Sequence, residues 1–301
     1  MNRDSYVMSA AINIKEALQE ASSFLEKAGI MEPESNARLL LSHLLGFSPA
    51  ALLAAQREPF PGSRRAEWEQ LVSRKAQGEP AQYIIGEQEF YGLSFEVNPA
   101  VLIPRPETEL LVERIVQLGS GLFSAEAPAA HSPLVADIGT GSGAIAAAIK
   151  HLRPGWRLMA SDISPAALEV ARRNAARLDL QIDFREGNLL EPFTGLKLDI
   201  LVSNPPYIPA AVIEGLQPEV KNYEPRSALD GGADGLDPYR IMMEQLPLLE
   251  APPRLIGFEL GMGQADEVAE LLDKTGYWSR IETVKDYAGI GRHVIGMAGS
   301  N

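Results

Sequence analysis

The feature that most constrains this chain is a run of five residues, Leu134-Val135-Ala136-Asp137-Ile138, that passes directly into Gly139-Thr140-Gly141-Ser142-Gly143 and then into the helical pattern Ala144 to Leu152. Three glycines in five residues weaken any helix or strand by roughly 1 kcal/mol each relative to alanine, so this stretch is a turn, and one that lets backbone approach something closely. A strand, a glycine turn and a helix form the opening unit of an open α/β sheet. The rest of the chain keeps that rhythm. Strands are predicted at Trp156 to Asp162, Ile182 to Glu186, Leu198 to Ser203 and Arg254 to Leu260, and helices at Pro165 to Leu178, Tyr239 to Leu249 and Gln264 to Lys274. Two more strands, near Trp278 to Val284 and His293 to Met297, would complete the sheet as an antiparallel edge. Strict succession of this kind implies a mostly parallel sheet covered on both faces.

The first third reads differently. From Ile12 to about Gln82 apolar residues recur at helical spacing, as in Ala17, Leu18, Ala21, Leu25 and Leu39, Leu40, Leu44, Leu45, with breaks at Gly29, Gly46, Pro59 to Gly62 and Gly78. Four or five short helices in a small bundle are expected. Between Tyr83 and Pro106, Phe90, Phe95 and Val97 alternate with polar neighbours and predict a β-hairpin linker. A helix from Glu107 to Leu118 and a Gly/Ala/Ser/Pro-rich stretch from Gly119 to Pro133 precede the glycine turn. The expected domains are therefore 1–82, helical; 83–106, linker; and 107–301, α/β.

Composition closes other routes. The chain of 301 residues has no cysteine, which excludes disulfides, thiolate nucleophiles and cysteine-held metal, and its four histidines are too scattered for a metal site. No metal is expected. The formal charge is −13, acidic residues exceed basic ones on both sides of residue 98, and no basic domain is available to neutralise long duplex nucleic acid. No window reaches the about 18 apolar residues of a spanning helix and the N-terminus lacks a signal-peptide core, so a cytoplasmic protein without membrane partners is expected.

Read as a ligand turn, Gly139, Gly141 and Ala144 fit the G-x-G-x-x-G/A dinucleotide fingerprint, while Asp137 followed by Gly139, Gly141 and Gly143 equally fits the glycine turn of S-adenosylmethionine-dependent methyltransferases. The turn leaves both open. Asp162, at the end of the second strand, is placed to accept the two hydroxyls of an adenosine ribose, with Ser164 as the better N-cap for the helix that begins at Pro165. Gly187-Asn188-Leu189 ends the third strand, where a side chain could reach an adenine.

The fourth strand runs into Ser203-Asn204-Pro205-Pro206-Tyr207-Ile208-Pro209. Two successive prolines fix two φ angles and remove two donors, leaving carbonyl acceptors. That suits a planar nitrogen bearing hydrogens: Asn204 Oδ1 and the Pro205 carbonyl would each accept one, while Tyr207 packs against the planar group. Substitution at a nitrogen whose lone pair is delocalised needs in-line positioning and electrostatic support rather than a covalent intermediate.

Asn204-Pro205-Pro206-Tyr207 resembles the motif of amino-group methyltransferases, and the wider sequence resembles the release-factor glutamine methyltransferases, the PrmC/HemK family. Matching segments are Phe90 to Leu93, Leu102 to Glu109, the glycine turn, Asn204 to Pro209, Glu224-Pro225 with Ala228 to Gly232, Asp234 to Leu236, and Asp286 to Gly289. The resemblance implies a Rossmann-like, seven-stranded, mostly parallel methyltransferase domain behind a helical substrate-recognition domain. It implies S-adenosyl-L-methionine as cofactor, held by Gly139, Thr140, Gly141, Ser142, Gly143, Asp162, Asn188 and Asn204. The implied acceptor is the side-chain amide nitrogen of the glutamine in the Gly-Gly-Gln motif of peptide chain release factors, held by Asn204, Pro205, Pro206 and Tyr207, with Asn204, Pro205 and Tyr207 as the catalytic set. A monomer is expected. Leu189 stands where some members carry an aromatic, which implies aliphatic contact with adenine. Pro104 to Glu109 reads first as a hinge framing the pocket, with substrate binding through Arg105 or Glu107 as the alternative, since Pro106 suits a first helical turn and Glu107 and Glu109 its dipole. The loop Asp230 to Gly235 either closes over the cofactor or is plain surface. Two other functions stay open at this level: adenine-N6 methylation of nucleic acid, whose flipped base would suit the same tetrapeptide, and non-catalytic binding of release factors.

Overall fold

The computed structural model describes residues 5–10, 12–123 and 132–299, in two compact units: 1–87 with 217–223, and 88–216 with 224–301. His131 and most of the Gly/Ala/Ser/Pro-rich stretch lie outside the described residues.

The first unit is helical. Its helices are α1 (Ile14–Lys27), α2 (Pro33–Leu45), α3 (Pro49–Ala54), α4 (Arg65–Ala76) and α5 (Ala81–Ile85). α1 starts on a capping box: Asn13 Oδ1 accepts from Glu16 N and Glu16 Oε2 accepts from Asn13 N, satisfying two donors that a helix start leaves exposed. α2 ends where Gly46 takes a left-handed φ of 67°. Ala17, Ala21, Leu25, Leu40, Leu41, Trp68 and Val72 fill the core. α5 occupies Tyr83 to Ile85, which the sequence pattern assigned to the hairpin; Gly86, at φ 84°, ends this one-and-a-half-turn helix before the strands begin.

The hairpin, which from Gln88 on belongs to the second unit, is β1 (Glu87–Phe90) and β2 (Leu93–Glu96), turning at Tyr91 and Gly92, both at positive φ. Phe90 and Phe95 pack edge to face with centroids 6.2 Å apart and join the core formed with α6 (Pro106–Leu122). α6 runs four residues past the predicted end at Leu118. Gly119 does not end it; a Cβ there would stand 2.6 Å from Trp156 and 2.8 Å from Ile200, so glycine is required for close helix-to-sheet contact.

The remaining elements are β3 (Leu134–Ile138), α7 (Ala144–Leu152), β4 (Arg157–Asp162), α8 (Pro165–Arg177), β5 (Ile182–Glu186), β6 (Ile200–Ser203), α9 (Ala210–Ile213), α10 (Pro218–Tyr223), α11 (Asp237–Gln245), β7 (Leu255–Glu259), α12 (Ala265–Thr275), β8 (Arg280–Lys285) and β9 (Gly291–Met297). α10 belongs to the helical unit. The sheet order is β5-β4-β3-β6-β7-β9-β8; the first five strands are parallel and β9 pairs antiparallel with both β7 and β8. This is the seven-stranded, mostly parallel sheet that the sequence implied. β6 starts two residues later than predicted; Asp199, just before it, accepts from the Leu134 amide through Oδ2 at 2.8 Å. Val135, Ile200, Val202 and Leu255 face one layer with α6 and α7, whereas Leu134, Ala136, Leu201, Ile256 and Phe258 face the other with α11 and α12. The strand order reverses between β3 and β6, and ligands of open α/β sheets bind at such a point, beyond the strands' carboxyl ends. Among the described residues no single helix is long and apolar enough to cross a membrane.

Candidate active site

A cavity of about 480 Å³, within the usual range for small-molecule sites, opens at that point. The glycine turn forms one wall. Gly139 and Gly141 adopt φ of 69° and 56°, with open space where a Cβ would stand, so ligand atoms can lie against bare backbone there. Gly143 serves packing instead, since a Cβ would come within 3.2 Å of Ala171 on α8. Asn174 of the same helix anchors the turn: Nδ2 donates to Ser142 O and to Glu96 O, and Oδ1 accepts from Glu96 N.

Asp137 lies under the turn, wholly buried. Its Oδ2 accepts from Thr140 Oγ1 at 2.6 Å and from Ala146 N at 3.2 Å, and Oδ1 has no hydrogen-bond partner. Burial pushes this carboxyl up to about 7, against the pull of those two bonds. Asp162 closes the neighbouring strand: Oδ2 accepts from Gly141 N and Oδ1 from Ser164 N, both at 2.9 Å, and burial raises its pKa. Ser164 caps α8 through Ala167 N, as expected. Asp162 thus fixes the turn with one lone pair of each oxygen and lines the cavity with the rest of the group. Asn188 and Leu189 line it as well.

Opposite stands Asn204. Ser203 Oγ donates to Ile138 O at 2.6 Å, tying the ends of β6 and β3 together, and Asn204 follows at the cavity wall. Its Nδ2 donates to Thr108 Oγ1 at 3.3 Å, which turns Oδ1 to the other side of the amide. Of the tetrapeptide, Asn204 and Pro206 line the cavity; Pro205 is buried and the Tyr207 ring packs on the α11–α12 layer, outside the lining. Burial, then the Glu259 charge, pushes the Tyr207 phenol up to about 12, so it is neutral and no base.

The Asp230 to Gly235 segment packs against the proline loop. Ile208 N donates to Leu229 O, Gly231 N to Ile208 O and Ala210 N to Gly232 O, so the segment runs alongside the proline loop as a short parallel bridge. Asp230, Gly231 and Gly232 line the cavity. Arg105 lines it too, the one basic side chain among the described lining residues, and its Nη2 donates to the buried Glu224 at 2.5 Å. The sequence marked the segment that holds Thr108 without singling out that residue and gave no sign of Asn174 or Gln264, whose contacts join distant segments.

Family models match twice: the PrmC N-terminal domain over residues 16–86 and the methyltransferase small domain over residues 110–214. Curated relatives span nearly the whole chain. The release factor glutamine methyltransferase of Moorella thermoacetica is 41% identical over 280 residues, 92% of this chain and 96% of that protein. That of Geobacter sulfurreducens is 41% identical, covering 95% and 97%, and that of Bacillus subtilis 39%, covering 96% and 99%. Among solved structures, the hMettl16 catalytic domain in complex with MAT2A 3'UTR hairpin 6 aligns with a TM-score of 0.52 at 17% identity, covering 77% of this chain and 83% of that one, a likeness of fold.

Proposed function

The chain belongs to the release factor glutamine methyltransferases, and on that premise we propose that it methylates the side-chain amide nitrogen of the Gly-Gly-Gln glutamine of a peptide chain release factor. The observation that carries this reading is Asn204: its amide is oriented by Thr108 and stands across one cavity from the glycine turn. S-adenosylmethionine, when bound, supplies an already activated methyl group. The cavity fits it: bare backbone at Gly139 and Gly141, with Thr140 and Ser142 in the same turn, would lie along its amino-acid portion while Gly143 packs the turn on α8, Asp162 would accept from its ribose hydroxyls, and Asn188 and Leu189 would border its adenine.

The residues of this chain hold the acceptor. Asn204 Oδ1 and the Pro205 carbonyl each take one hydrogen of the glutamine amide, so its nitrogen is fixed in rotation and its lone pair is directed at the methyl donor. Neither group is a strong base and Tyr207 is neutral. The proton that the nitrogen loses therefore passes to water as the new C–N bond forms. Pro206 walls the acceptor, and Tyr207 acts through its backbone. A glutamine side chain alone has too little surface to distinguish one protein from another, so the helical unit selects the release factor. Such an enzyme works in the cytoplasm, on factors that terminate translation.

The test is transfer of labelled methyl from S-adenosylmethionine to a purified release factor, beside a version with alanine for the Gly-Gly-Gln glutamine and beside adenine-containing DNA. Label on the unaltered factor alone is the expected result. Label on DNA, or none despite cofactor binding, overturns the reading.

A further inference from the structure

The proline loop has an anchoring problem of its own. Pro205 and Pro206 have no N–H, so two consecutive residues beside the reacting amide cannot be tied down by donating. Ile208 N and Ala210 N donate on the far side of the prolines, but between Asn204 and Ile208 the backbone offers its carbonyls, and the Tyr207 carbonyl takes a donor from elsewhere. Gln264, just before α12, supplies it. Its Nε2 donates to Tyr207 O at 3.0 Å, and the second hydrogen is shared between Asp234 O and Gly235 O, each at 3.4 Å. Its Oε1 accepts from Gly261 N at 2.8 Å, which fixes the amide in that orientation. One side chain thus joins the proline loop, the glycine-rich segment and the loop after β7. The fit leaves no slack, because a Cβ on Gly235 would stand 2.2 Å from Tyr207 O and 2.5 Å from Gln264 Nε2.

We propose that Gln264 is a positioning residue for the methyl acceptor: it sets the Asn204 to Tyr207 backbone, and with it the Pro205 carbonyl, without touching substrate or cofactor. Its catalytic consequence rests on the function proposed above; the clamp itself does not.

Gln264→Ala removes the clamp. Gln264→Glu is the sharper variant, since a carboxylate keeps the bond from Gly261 N but points its other oxygen at three carbonyl oxygens. Protonation turns that oxygen into a donor and restores the bond to Tyr207 O. Turnover of both variants on a release factor should fall roughly 10- to 100-fold at pH 8, the scale of an ångström's misplacement, with cofactor affinity close to that of the unaltered protein and a modestly lower thermal midpoint. The deficit of Gln264→Glu relative to the unaltered enzyme at the same pH should shrink as pH is lowered from 8 to 5.5, whereas that of Gln264→Ala should not. Hydrogen exchange on the full chain should quicken at Ile208, Ala210 and Gly231 and stay unchanged at Gly141. Unchanged turnover, a Gln264→Glu deficit independent of pH, or unchanged exchange at those amides overturns the proposal. If the unaltered protein leaves release factors unmethylated, the functional reading fails, and exchange still decides the clamp.

Discussion

One side-chain hydrogen bond, Nδ2 to Thr108 Oγ1, holds the Asn204 amide at the cavity wall. Thr108 is 4% exposed, and in this arrangement its hydroxyl accepts from the Asn204 amide nitrogen, which leaves Oδ1 for another donor. Thr108→Val keeps the shape and loses the oxygen. With one neutral bond worth about 1 kcal/mol, kcat should drop roughly fivefold to tenfold, and Thr108→Ser should recover most of it; Asn204→Ala should cost on the order of 10²-fold in kcat while cofactor affinity, measured by calorimetry, holds. Equal kcat for the valine and serine variants would remove Thr108 from the account. Asp137 gives a prediction about stability. Its carboxyl titrates near 7 when folded against an ordinary 3.8, so below about 4 both states are protonated and the contribution is complete. As pH rises through 4 to 7 the unfolded chain releases its proton first, and folding loses that contribution. The thermal midpoint of Asp137→Asn should therefore gain on that of the unaltered protein between pH 5 and pH 8; parallel pH profiles would contradict it. Gly139, Gly141, Asp162 and Asn204 were legible in the sequence because each ends a strand or turn with its own pattern. Thr108 was not, since its partner lies 96 residues away and a threonine in a first helical turn looks like any other.

Elements are placed by what their neighbours tolerate. Four of the five parallel strands were readable because buried strands are short apolar runs between turn residues, and β5, Ile182-Asp183-Phe184-Arg185-Glu186 with no buried residue, by the alternation of an edge strand. The end of α6 was not, as Gly119 punctuates the sequence but serves in the structure as a gap for Trp156 and Ile200. The same ambiguity attends the glycine-rich segment after the proline loop, whose sequence fits a cover for the cofactor and plain surface equally and which packs on the proline loop. Gly235 and Gly263 separate the two meanings. Both have positive φ, 83° and 89°, so alanine strains the backbone at either by about 1–2 kcal/mol. Only at Gly235 would the added carbon collide with Tyr207 O; at Gly263 nothing lies within 4 Å. Gly235→Ala should reduce methyl transfer at least tenfold more than Gly263→Ala, a ratio measurable on one release factor under one set of conditions, and equal losses would mean that strain alone matters.

At the scale of the whole chain, the helical unit is not contiguous: it includes α10, which the polypeptide reaches only after β6 and the proline loop. Nothing in the periodicity of Pro218 to Tyr223 announces this, because six residues are too few to show which face is apolar. The tie is an ion pair. Lys75 Nζ donates to Glu219 Oε2 at 2.5 Å, with the lysine side chain 1% exposed and the glutamate 33%, and Tyr223 Oη donates nearby to Gln77 O. Unequal burial makes the two halves of the pair unequal. Removing the glutamate charge leaves an ammonium deep in the helical core without a counter-charge, a loss that approaches about 3 kcal/mol. Removing the lysine leaves a carboxylate that water still reaches, and a methionine fills the same channel, so that cost should stay within about 1 kcal/mol. Glu219→Gln should therefore speed hydrogen exchange of the buried α4 amides far more than Lys75→Met does. The reverse order would show that α10 is held by packing, with the charge pair incidental. Because Glu219 belongs to a segment inserted between the proline loop and Glu224, its loss should also be felt as slower turnover on an intact release factor, with cofactor affinity unchanged.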